Sequence, residues 1–462
     1  MGTLIGKRMR LRTGGATAIK PDSEHGTTGL AFMWRALSHR NYQLFFSGQS
    51  VSLIGTWMTR IATSWLVYRL TGSALLLGVV GFAGQIPTFL LSPFAGVLVD
   101  RWNRHRLLVA TQVLAMLQSF ALGTLTLTGR INIHHLLWLS LFQGVINAFD
   151  MPARQAFISE MVDRREDLAN AIALNSSMVN AARLLGPSIG GVIIAAVGEG
   201  WCFTIDGLSY LAVIASLLAM KMAPRIANHE NGSSVFRQLR EGWIYVSGFL
   251  PVRNILLLLA LVSLVGTPYT VLMPVFANEI LHGGPHTLGW LMAASGVGAL
   301  AGALLLAARR SVVGLGRFIP LTAGAFGAGL IAFSHSHRLW LSLILMVATG
   351  FGFMVQMAVS NTLLQTIVGE GMRGRVMSFY TVAVMGMVPF GSLLAGTVAN
   401  KIGAPNTLLF GGLGCLIGAL WFARALPALR REIRPIYVSQ GILPEVATGL
   451  QTSSQLGIPP ET

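Results

Sequence analysis

Asn147-Ala-Phe-Asp150-Met-Pro152-Ala-Arg154-Gln155-Ala-Phe-Ile158-Ser-Glu160 closes an apolar run and yet carries charge. Asp150 and Arg154 stand four residues apart, so a helix puts them on one face where they can pair. Pro152 removes a backbone donor between them and predicts a bend. Part of the stretch recurs 210 residues later, where Gln365-Thr-Ile-Val368-Gly-Glu370 echoes Gln155 to Glu160. Two more echoes keep the same order and nearly the same offset: Gly96-Val-Leu98 with Gly302-Ala-Leu304 at 206, and Gly186-Pro187-Ser-Ile-Gly190-Gly191 with Gly391-Ser-Leu-Leu-Ala-Gly396 at 205. The chain therefore reads as two parallel copies of one unit. Asp150 and Arg154 align with Ser360 and Leu364, so the charged pair belongs to the first copy alone.

Composition says what the unit is made of. Of 462 residues, 53% are hydrophobic and 11% charged, where a soluble domain carries roughly a quarter charged. Apolar windows of about 20 residues, enough to cross a bilayer, recur throughout. They predict an all-α membrane protein of twelve transmembrane helices, at 44–68, 75–98, 107–128, 135–157, 168–197, 202–222, 254–277, 288–308, 318–334, 339–367, 376–399 and 406–423. An even number leaves both termini on one side. Setting that side in the cytoplasm places 27 of the 33 Lys and Arg residues there and only Arg69, Arg130, Arg338 and Lys401 opposite, as cytoplasmic loops collect basic residues. Topology thus accounts for the net charge of +16, and no nucleic-acid partner is expected. Trp65, Trp138, Trp201, Trp290 and Trp340 fall at outer span ends, where an aromatic belt belongs.

The longest interior connection divides the chain into a cytoplasmic basic tail (1–40), an N-terminal six-helix half (41–223), a cytoplasmic linker (224–252), a C-terminal six-helix half (253–425) and a second cytoplasmic tail (426–462). The linker turns amphipathic through Phe236, Leu239, Trp243 and Val246. The first tail has no apolar core, so no cleavable signal peptide is expected, and the location is a cell membrane, multi-pass. Cys202 and Cys415 lie in different spans, and no disulfide is expected between them.

The loop after the second span reads Gly96-Val-Leu-Val-Asp100-Arg101-Trp-Asn103-Arg104-His-Arg106. It resembles the signature of the major facilitator superfamily, Gly-x-Leu-x-Asp-Arg-x-Gly-Arg, with Asn103 for the usual Gly, an exchange that left-handed backbone angles tolerate. The resemblance implies a gating latch made of Asp100, Arg101 and Arg104; the arginines would also serve as plain topology anchors. In the second copy the Asp100 and Arg101 positions are Leu306 and Ala307, so such a latch is one-sided. Gly186, Pro187, Gly190 and Gly191 in span five resemble the helix-bend motif of exporters and antiporters, although small residues also pack membrane helices generally. Added to Asn147–Gln155, Leu168–Asn175, Phe203–Ser209, Val271–Ala277 and Arg373–Ser378, these motifs look like the branch holding the enterobactin exporter, transmembrane secretion effectors and macrolide efflux pumps, over roughly 36–425. That branch implies a secondary active transporter, exporting a siderophore, drug or similar amphiphile by ion antiport and alternating access around a midplane site.

The residues add detail. No Gly-x-x-x-x-Gly-Lys-[Ser/Thr] loop is present, so uphill export needs a proton or sodium gradient. Nine of the ten histidines fall in predicted loops or tails and His135 stands at the very start of a span, which leaves carboxylates to carry a proton inside the spans. Within the spans lie Asp150, Asp206, Arg60 and Arg183, with Arg154 beside the first; such groups should face protein or water. Arg60 or Arg183 is expected in the cavity, Asp206 is the coupling candidate or reaches the outer interface, and static pairing would explain the same charges. Gln356, Asn361 and Gln365 are the cavity candidates of the second half. A cavity cationic on one side and neutral on the other suits anionic or amphiphilic solutes. No cofactor or metal is expected, because His282, His286, His335 and His337 lack convergent partners. No catalytic motif occurs, so the chain is not expected to be an enzyme. The bilayer is its main partner and a monomer is expected. A lipid or lysolipid flippase and a non-transporting receptor or scaffold are the alternatives.

Overall fold

The computed structural model describes residues 35–440 except 163, 222–234 and 310; the side chains of residues 93, 97, 100, 165, 235, 236 and 238 also lie outside the description. Most of both tails and much of the linker therefore fall outside it. All regular structure among the described residues is helical. A first set comprises α1 (Arg40–Thr71), α2 (Ala74–Arg101), α3 (Arg104–Leu127), α4 (Ile133–Met161), α5 (Arg165–Val197) and α6 (Glu199–Leu218). After a connecting helix α7 (Val235–Gly248) come α8 (Leu250–Ile280), α9 (Pro285–Ala307), α10 (Phe318–Ser334), α11 (Leu339–Ile367), α12 (Glu370–Ile402) and α13 (Ala404–Ser439). Helix α8 contains π-helical turns at Val262–Gly266 and Phe276–Ile280, and α12 contains one at Val382–Gly386.

Local chemistry sets the helix starts. Ser73, Asn103 and Asn132 accept the amides of Leu76, Arg106 and His135, the bond that caps a helix N-terminus. Gly72, at φ 58°, closes α1 and turns the chain into α2, a left-handed position that glycine adopts without strain.

Ten helices are long and apolar enough to cross a membrane. Helices α1 and α4 have the length, at 32 and 29 residues, but more polar side chains. They are the helices that carry Arg60, Asp150 and Arg154. The expected ends 318–334 and 339–367 coincide with α10 and α11. Helix α13 runs on to Ser439, well past the expected end at 423. Its extension is held by Leu429 and Tyr437, both buried. Trp138 and Trp340 are exposed as a belt requires, whereas Trp65 is buried in the core.

Within the first set, α1 packs on α5 and α6, α2 on α4, and α3 on α4 and α6; within the second, α9 packs on α11, and α10 on α11 and α13. Two crossings join the sets, α5 with α9 and α2 with α12. A Cβ added at Gly191 would lie 3.0 Å from Gly289 Cα, and one at Gly78 would lie 2.9 Å from Gly396 Cα. Gly191 and Gly396 are the residues that the sequence repeat aligns, so the two crossings are copies of one contact.

The contacts that join the sets gather toward the end holding Thr71 and Ala74. Tyr68 bonds Glu279, Phe82 and Phe89 meet Phe390, and Gly386 lies against Phe89. Gly96 shares the Gly78 face of α2 five turns on, about 27 Å away at 1.5 Å per residue, and a Cβ there would meet nothing within 4 Å. The same holds at Gly374 on α12. The two sets are thus in contact at one end, and at Gly96 and Gly374 they stand clear of each other at the end where Arg101, Arg104 and Arg154 lie.

Candidate functional site

Midway along α1 and α5, Arg60 and Arg183 approach the same ring. The Arg60 Cζ lies 4.7 Å and the Arg183 Cζ 5.7 Å from the centre of Trp57, both within range of a cation–π contact. Arg60 keeps solvent exposure at this depth. Neither guanidinium has an ion-pair or hydrogen-bond partner among the described residues. The glycine motif of α5 explains how the ring gets in. A Cβ at Gly186 would lie 2.5 Å from the Trp57 Cβ, and one at Gly190 would lie 2.9 Å from Met58 Cγ. Helix α5 stays helical through Pro187. The motif seats α1 with Gly186 and Gly190, and α9 with Gly191.

Asp206 sits elsewhere on α1's flank, buried at 1% exposure rather than at the outer interface. Its Oδ2 accepts from Thr59 Oγ1 at 3.0 Å and from Ser119 Oγ at 2.8 Å. Its buried Oδ1 has no partner, and a Cβ at Gly55 would lie 2.6 Å from it. The carboxyl thus ties α1, α3 and α6 through hydroxyls, and among the described residues no cation is bonded to it. Thr59 precedes Arg60, so a change at Asp206 reaches the cationic pair through one peptide unit.

Asp150 is the contrasting case. Its Oδ1 accepts from Thr111 Oγ1 at 2.9 Å and from Gln112 Nε2 at 2.7 Å, and its Oδ2 accepts from Arg154. The expected pair forms and is anchored to α3. At the basic end, Arg104 Nη1 bonds Glu160 Oε1 at 2.8 Å, joining α3 to α4 within the first set, and Arg101 is exposed. The Asp100 side chain lies outside the description.

Of the second-half candidates, Asn361 and Gln365 are accessible and bonded to each other. Gln356 is not a lining residue here: it is fully buried, and neither amide atom has a partner. Nine residues on one helix turn the side chain through about 180° at 100° per residue, so Gln356 and Gln365 face opposite ways. The Oγ of Ser360, where the repeat places Asp150, is also buried and unbonded. Sequence reading missed Trp57, Thr59, Thr111, Gln112 and Ser119; only the three-residue spacing of Trp57 and Arg60 was a local signal. Among the described residues no group of three or more His, Cys, Asp or Glu side chains converges as a metal site would.

A membrane bundle closed at one end, with a cationic centre at mid-depth, has the architecture of a membrane transporter. The fold agrees with three solved structures. A bacterial homologue of the human lysosomal transporter Spinster, inward-facing and unoccupied, gives a TM-score of 0.65 at 15% identity over 87% of this chain and 98% of that one. The nucleoside transporter NupG gives 0.67 at 10% identity, over 83% and 99%. The peptide transporter POT gives 0.68 at 10%, over 85% and 95%. Residues 31–446 match the transmembrane secretion effector family, and the chain belongs to it, within the efflux branch of the major facilitator superfamily. It is 26% identical to the staphyloferrin A transporter of Staphylococcus aureus over 84% of this chain and 97% of that protein. It is 26% identical to the multidrug efflux pump Tap of Mycolicibacterium fortuitum over 81% and 93%, and 23% identical to macrolide efflux protein A of Streptococcus pyogenes over 81% and 94%. These relatives favour small-molecule efflux over the flippase and scaffold readings. A member of this transporter family is a multi-pass membrane protein and not an enzyme.

Proposed function

We propose that the chain exports an organic anion, or an amphiphile bearing an anionic group, by alternating access driven by proton entry. The observation that carries this is the pair of guanidiniums, Arg60 and Arg183, over one tryptophan with no carboxylate bonded to either. Two like charges at one ring repel, and an anion between them reverses the sign of the interaction. Guanidinium forks also suit carboxylate geometry. The relatives named for a siderophore and for drugs support export; the anionic preference comes from this site.

In this reading α1 to α6 and α8 to α13 are two six-helix halves, all twelve crossing the membrane with both termini in the cytoplasm. The basic end is then the cytoplasmic end, and the open cavity faces inward. Asp206 carries the coupling proton. A single carboxyl held by two hydroxyls can gain or lose a proton without breaking an ion pair, whereas a metal ion needs several converging oxygens. Thr59 passes the change to Arg60. Asp100 and Arg101 latch onto the inner end of α12 when the Gly96 and Gly374 faces meet, and Arg104 holds α3 to α4 beneath them.

The test is flux in proteoliposomes under an imposed pH gradient, with a panel of carboxylate siderophores, anionic amphiphiles and permanently cationic drugs. Uncoupler-sensitive flux of the anionic solutes is expected. Arg60→Ala or Arg183→Ala should reduce it about 10- to 100-fold, the worth of one charge-assisted contact. Asp206→Asn should abolish uphill movement and spare substrate exchange. Transport restricted to permanently cationic solutes would overturn the anionic reading.

A further inference from the structure

At the basic end, α7 and the last turns of α13 border a shallow, open hollow of about 410 Å³, lined by Ile244, Tyr245, Gly248 and Phe249 on one side and Ile436 on the other. Beside it Leu239, Trp243 and Ile244 are 45%, 61% and 59% exposed. Arginines share these surfaces: Arg237 and Arg240 on α7 and Arg430, Arg431 and Arg434 on α13 are all exposed. The only acidic residues in the two segments are Glu241 and Glu432, and Glu241 is paired with Arg375 at 2.9 Å and, more loosely, with Arg237 at 3.9 Å. Helix α7 ends two residues before α8 begins, which holds it beside the membrane boundary. A helix with exposed apolar and arginine side chains at that level matches the headgroup and acyl boundary. Arginine clusters next to a span attract anionic lipid.

We propose that this hollow binds an anionic phospholipid of the cytoplasmic leaflet, with an acyl chain against Ile244, Phe249 and Ile436 and the phosphate among Arg237, Arg240 and Arg434. The assignment of leaflet rests on the orientation proposed above. The site has a mechanical connection. Besides the Glu241–Arg375 pair, the Trp243 and Phe379 rings are 6.2 Å apart, and a Cβ at Gly242 would lie 2.9 Å from the Phe379 ring. Gln440 Nε2 donates to the Thr366 carbonyl at 2.9 Å. Bound lipid therefore bears on the inner ends of α11 and α12, which have to move when the basic end closes.

The test uses the full-length protein in neutral detergent, titrated with short-chain phosphatidylglycerol or phosphatidylcholine while thermal unfolding is followed. Phosphatidylglycerol should raise the midpoint and phosphatidylcholine should not. The combined Arg237→Gln, Arg240→Gln and Arg434→Gln variant should need on the order of a hundredfold more lipid for the same rise, given the worth of each basic side chain near an anionic surface. Ile244→Glu, which keeps every arginine, should also remove the rise. Equal responses to the two lipids, or an unchanged phosphatidylglycerol response in either variant, would overturn the site. This readout needs no substrate, so failure of the transport reading leaves it intact, and normal flux with no lipid response would sink the lipid site alone.

Discussion

Asp150 and Asp206 show how one residue type serves two ends. Asp150 is saturated by Arg154, Thr111 and Gln112; Asp206 has hydroxyls on one oxygen and nothing on the other. Removing one partner of a buried pair leaves the other uncompensated, at about 3–5 kcal/mol. Asp150→Asn should therefore lower the thermal midpoint sharply. Asp150→Ser with Arg154→Leu, the residues that the second copy carries, should recover most of that loss. If the double variant also recovers full efflux, the pair acts in stability alone. The Asp150–Arg154 contact was legible because it is local to one helix. The Trp57–Arg183 contact was not, because it joins two helices, and nothing in the sequence says which face of α5 meets α1.

Helices meet here where side chains are absent. At Gly191 an added Cβ has backbone atoms of α9 at 2.9 and 3.0 Å, which cannot swing aside as a side-chain end does. Gly191→Val should cost about 1–3 kcal/mol by overpacking, read as a lower thermal midpoint, whereas Gly96→Val should leave the midpoint unchanged. Equal effects at both positions would mean that the α5–α9 crossing is not a tight contact in solution. The glycine motif of span five was legible as a packing signal, but its partners were not. Helix ends followed hydropathy wherever a polar loop bounds the helix, as at α10 and α11. The α13 extension escaped because the apolar window ends at 423, while burial of Leu429 and Tyr437 carries the helix on.

At the scale of the molecule, the repeat paired Gly191 with Gly396, and the structure supplies their partners, Gly289 and Gly78, which make the two crossings copies of one contact. Periodicity cannot say which end is open, since both states contain the same helices. The open basic end makes a checkable claim. Cys202 and Cys415 are buried, so cysteines placed singly at Gly96 and Gly374 should react with a soluble maleimide in resting protein. Placed together, they should cross-link only while substrate and gradient drive turnover. Cross-linking at rest would show that the resting protein is closed at this end.

Among the described residues the three π-helical turns all lie in α8 and α12, after the connecting helix, while the charges midway along helices lie before it. A π turn loosens the regular bonding of a helix and offers a place to twist. Duplication ordinarily implies equal partners, yet in the proposed reading these two copies have specialised: one holds the chemistry and the other supplies the give. Substitutions in the first copy should mainly change which solute leaves, and those at Val262–Gly266 or Val382–Gly386 how often the door swings.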